Sequence, residues 1–143
     1  MGKKFVIFTQ DFLSNFLVDG RVFELSVILQ EIAQSGVGGI FISNDIDFLM
    51  NTMPGTVFQF KDACLLDCSL CEGKSAISSV DLEDFVKYRK INISEACVIA
   101  ASPASLSNFC GNNLKFIVVS GETNTGGNFR MANQLSELPG MIN

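Results

Sequence analysis

Few residues in this sequence are suited to acid–base or metal chemistry, and the densest group of them is Cys64-x3-Cys68-x2-Cys71. Three thiolates with a nearby carboxylate (Asp62, Asp67 or Glu72) could hold zinc in a tetrahedral site. Structural zinc sites usually carry two paired Cys/His knuckles. This chain has one, so spacing alone does not complete a four-ligand set. Cys68-x2-Cys71 also lacks the placement at a helix start after a strand that depresses a thiol pKa and supports redox work. The five cysteines are odd in number and no export signal precedes them, so reduced thiols are expected, with Cys97 and Cys110 in the core. Histidine is absent, which removes Ser-His-Asp and Cys-His mechanisms. The glycine-rich stretch from Gly121 to Gly127 holds no Lys-Ser/Thr pair, so it reads as a loop and not a P-loop.

The elements that must position any site follow from the hydrophobic pattern. Lys4 to Thr9 is a compact apolar run of β-formers, read as a buried strand. A polar, glycine-containing stretch leads to Asp19-Gly20. Val22, Leu25, Ile28, Leu29 and Ile32 then recur at helical spacing up to Gly36. Gly39 to Ser43 is a second strand, and Ile46 to Met53 a short helix that Asn44-Asp45 can cap. Pro54-Gly55 breaks the chain before a third strand at Thr56 to Phe60. Lys61 to Ser75 looks irregular. A helix capped by Ser78 or Ser79 runs to about Lys90, and Ala96 to Ala101 is a fourth strand. Ser102-Pro103 opens another helix that ends near Cys110-Gly111. Lys115 to Val119 is a fifth strand, and Phe129 to Leu138 a closing helix.

Strands alternate with helices and are continuously apolar. That predicts an α/β fold: a three-layer, Rossmann-like, doubly wound parallel sheet of about five strands in one domain spanning residues 1–143. Ligands of such folds bind beyond the carboxyl ends of the strands. Five segments therefore matter: Thr9 to Asp11, Ser43 to Asp45, Lys61 to Lys74, Ala101 to Ser105, and Ser120 to Thr123.

Those segments, taken in order, resemble the haloacid-dehalogenase-like superfamily over nearly the whole chain. Phe5 to Phe8 leads into Thr9-Gln10-Asp11, where the family has a strand ending in Asp-x-Asp. Ile40 to Asn44 is similar to the second motif, Cys71 to Lys74 to the lysine motif, and Val98 to Ser105 occupies the acidic-motif position. Ser136-Glu137-Leu138-Pro139 is similar to the family's common C-terminal segment. The segments between leave no room for an inserted cap domain, so the resemblance implies a capless core.

The departures from the family carry the functional expectation. The nucleophilic aspartate is replaced by Thr9, a poor nucleophile with no histidine to deprotonate it. The general acid/base position is kept as Asp11. The positions that would ligate Mg²⁺ are Thr9, Ala101 and Ser105, all neutral, whereas Mg²⁺ requires carboxylate and water oxygens. No cofactor is expected. Ser43 and Lys74 match the family's phosphate-cradling residues, and backbone amides near Asn44 could assist. Each also has an ordinary role, helix capping for Ser43-Asn44 and solvation for Lys74. The resemblance thus implies a catalytically inactive, pseudophosphatase-like module that binds a protein partner, a second copy of itself or a small phosphate-like anion. A divergent hydrolase using Asp11 and Lys74, or a cysteine-cluster metal or redox protein, are the alternatives.

Composition narrows the partners. The 143 residues are 48% hydrophobic and 17% charged, a globular balance. Net charge is −5 and the ten basic residues are scattered, so no footprint for nucleic acid exists. No apolar run approaches the ~20 residues of a membrane span, and a cytoplasmic protein is expected. Thirteen phenylalanines mostly imply core, with Phe12, Phe16 and Phe48 as candidates for an exposed partner surface.

Overall fold

The computed structural model describes residues 5–16, 21–43, 46–52, 54–67, 97–101, 115–119, 130–132 and 134–142. Within these, six strands form one sheet: β1 (Phe5–Phe8), β2 (Gly38–Ser43), β3 (Lys61–Asp67), β4 (Cys97–Ala100), β5 (Lys115–Val119) and β6 (Arg130–Ala132). Their order is β3-β2-β1-β4-β5-β6, and every neighbouring pair is parallel. The chain lays β2 and β3 on one side of β1, then crosses to β4, β5 and β6 on the other. This is the Rossmann-like, doubly wound α/β arrangement expected from the alternation of elements, with one more strand than expected.

The continuous apolar runs are explained by burial on both sides. Val6, Phe8, Phe41, Ile99, Ile117 and Val119 point into one core layer. Ile7, Ile40, Ile42, Val98, Ala100 and Val118 alternate with them and are just as buried. A strand covered on both faces has no polar positions to alternate with.

Helix α1 (Gln10–Phe16) and helix α2 (Val22–Gln34) pack into the first layer. Of the α2 residues expected at helical spacing, Leu25, Ile28, Leu29 and Ile32 are buried there and Val22 is partly buried, with Ala33 buried beside them. Each buried Leu or Ile among them contributes roughly 1.5–3 kcal/mol of transfer free energy. The helix stops where Ser35 and Gly36 donate their amides to Ile32 and Ala33, and Gly36 takes φ of 87°. A Cβ at Gly36 would meet nothing within 4 Å, so only the backbone conformation demands glycine. Gly36→Ala is expected to cost about 1–2 kcal/mol in denaturant unfolding, the left-handed penalty for an L-residue. An unchanged midpoint would show that the helix ends in some other way.

Three assignments differ from expectation. Thr56 to Phe60 is not a strand. Pro54 starts a short helix α4 (Pro54–Val57) after α3 (Ile46–Thr52), because proline suits a first turn that needs no amide donor. The third strand is instead the next segment, Lys61–Asp67, which looks irregular because charges flank its apolar centre. It lies at an edge of the sheet, where charged residues are common. The closing segment is also not one helix. Arg130–Ala132 is a strand on β5, followed by a 3-10 turn (Leu135–Glu137) and helix α5 (Leu138–Ile142). Glu137 accepts the Gln134 amide at 2.9 Å, closing a capping box that starts this turn. Lastly, α1 occupies part of the polar, glycine-containing stretch that follows β1, and it carries Phe12 into the core at 0% exposure. Phe12 is therefore no surface residue. The expected helices near residues 78–90 and 102–111 and the loop at 121–128 lie outside the described residues.

Candidate functional site at the carboxyl edge of the sheet

Because β1, β2 and β4 run parallel, their carboxyl ends share one edge. Thr9 directly follows β1, Ser43 ends β2, and Ala101 directly follows β4. The fold therefore brings together three of the residues singled out by sequence. Asp11 lies in the first turn of α1 at the same edge. Asn44, Lys74 and Ser105 lie outside the described residues.

Thr9 is buried at 3% exposure, and its polar atoms are engaged by backbone. Its amide donates to the Ile99 carbonyl at 3.1 Å, and its Oγ1 donates to the same carbonyl at 3.0 Å. These bonds carry the β1–β4 ladder one residue past the strand. Oγ1 also accepts the Phe12 amide at 3.4 Å, and the Thr9 carbonyl accepts the Leu13 amide at 3.1 Å. Thr9 is thus the N-cap of α1 as well as the tie between strand ends. The sequence marks Thr9 as a replaced nucleophile and a neutral Mg²⁺ position, not as a helix cap. The missed signal is Thr9 followed by Phe12, Leu13 and Phe16 at helical spacing, the usual pattern of a capped amphipathic helix.

Beneath this cap lies an aromatic cluster. Phe8 stacks on Phe41 with centroids 5.0 Å apart and on Phe12 at 5.9 Å. Phe60 meets Phe8 and Phe41 edge-on at 5.6 and 5.3 Å. Such offset and edge-to-face contacts are the favourable ring geometries. Phe12 and Leu13 hold α1 down on this apolar floor, which keeps Thr9 close to Ile99.

The arrangement limits what the edge can do. A Thr9 hydroxyl that donates to a carbonyl cannot give up that proton without leaving two oxygens facing each other. Ala101 offers no side-chain oxygen. These two positions therefore do not suit a hard divalent cation. Ser43 is buried at 7% exposure and already engaged in an interaction within the fold. Thr9→Val removes the hydroxyl at nearly constant volume, and is expected to cost about 1–3 kcal/mol because buried partners lose their bonds. Thr9→Ser should retain most of that stability, and equal losses in the two variants by chemical denaturation would rule out the hydroxyl as the cause.

Of the five cysteines, Cys64 and Cys97 are among the described residues. Cys64 is a buried residue of β3, and Cys97 a buried residue of β4. Two strands separate them, a span of about 14 Å at normal strand spacing, and their register puts them on opposite faces of the sheet. Neither a disulfide nor a shared ion bridges that distance. Cys68, Cys71 and Cys110 lie outside the described residues. Among the described residues no three Cys, Asp or Glu side chains converge on a possible ion site.

Phe48 is 47% exposed, as expected of a surface residue, and Phe23 (81%) and Phe58 (67%) are more so. Among the described residues, no helix is long and apolar enough to cross a membrane. No protein-family model, no curated protein and no solved structure matches this chain.

Proposed function

We propose that the chain is a catalytically inactive, haloacid-dehalogenase-like module that acts by binding, through a protein partner or a small phosphate-like anion at the carboxyl edge. The observation that supports this most is the state of Thr9. It stands where the resemblance puts the nucleophile, yet its hydroxyl caps α1 and ties β1 to β4. Ala101, in the acidic-motif position, adds no charge. Ser43 remains at the same edge, and Lys74 is the cation that the resemblance assigns to phosphate. A divergent hydrolase would need Asp11 and Lys74 to work without a nucleophile or metal beside them.

The test has two arms on the purified full chain. A generic phosphate monoester with Mg²⁺ should show no turnover above buffer. Mg²⁺-dependent hydrolysis abolished by Asp11→Asn would falsify the inactive reading and favour the hydrolase. In the second arm, inorganic phosphate at ten times its Kd should stabilise the fold by about 1.4 kcal/mol. The resulting rise in Tm should disappear in Lys74→Ala. If phosphate has no effect at millimolar concentration, the anion half of the proposal fails and binding of protein partners is what remains.

A further inference from the structure

We draw no further inference here: the strongest candidate, the outward face of α2 that carries exposed Phe23 and Val27, is an unpartnered apolar helix face, and nothing in the structure shows what covers it.

Discussion

Phe8→Ala is expected to lower the stability of this protein by about 3–5 kcal/mol, the usual cost of emptying a large buried aromatic site. Phe8 is fully buried and touches three other rings, so its loss leaves a cavity and breaks three aromatic contacts. Each contact is worth about 0.5–1.5 kcal/mol beyond area burial. The rings that surround the gap come from α1, β2 and the segment before β3, so no single element can collapse into it. Domains of this size are stable by only about 5–15 kcal/mol. The variant should therefore unfold at much lower urea concentration or fail to accumulate. Phe23→Ala provides the contrast, because at 81% exposure its loss should change stability by less than about 0.5 kcal/mol. Similar losses in both variants would mean that the cluster does not form the centre of the fold.

Gly38→Ala is expected to cost about 1–3 kcal/mol, for the opposite reason, overpacking. A Cβ at Gly38 would collide with Cε1 of Phe5, with two more ring atoms inside 3.0 Å. Phe5 is its register partner on β1, and the ring occupies the space that a side chain at Gly38 would take. The neighbouring Gly39 does the same on the opposite face for Phe60 and Phe41, with ring atoms at 2.9 and 3.0 Å. The glycine pair thus lets aromatic rings lie against both sides of β2 where it starts. A double-mutant cycle checks the mechanism. Gly38→Ala with Phe5→Ala should cost less than the sum of the single changes, since the clash exists only when both groups are present. Additive costs would place the penalty in the backbone instead.

The centre of the sheet was legible in the sequence and its edges were not. The central strands were legible because burial on both faces makes them uninterrupted apolar runs, as in Phe5 to Phe8 and Cys97 to Ala100. Helix α2 was legible because the buried Leu25, Ile28, Leu29 and Ile32 and the partly buried Val22 repeat at helical spacing. At the edges, β3 begins with Lys61-Asp62 and ends with Asp67, and β6 has three residues, too few to show any period. Thr56-Val57-Phe58 has the composition of a strand, but Pro54 and the exposed Phe58 belong to a helical turn and its exit. At the candidate site, the sequence brought attention to Thr9, Ser43 and Ala101, and the parallel sheet gathers them at one edge. What it could not reveal was the partner of the Thr9 hydroxyl. That partner is a main-chain carbonyl on the neighbouring strand but 90 residues away in sequence, and a carbonyl leaves no mark in residue type.

The tie from Thr9 to Ile99 spans 90 residues of chain, and this separation has a consequence for biosynthesis. β1 can pair with β2 as soon as position 41 is free, but its other side must wait for β4. Closing the longer loop costs about 1 kcal/mol more in chain entropy than closing the shorter one. Pairings so far apart in sequence form late and slowly. A nascent chain that has just released β3 therefore presents β1 with one open side, lined by Val6, Ile7 and Phe8, to whatever else is in the cell. Unpaired apolar strands of this kind are templates for other chains. That open side lasts from the emergence of Asp67 to that of Cys97.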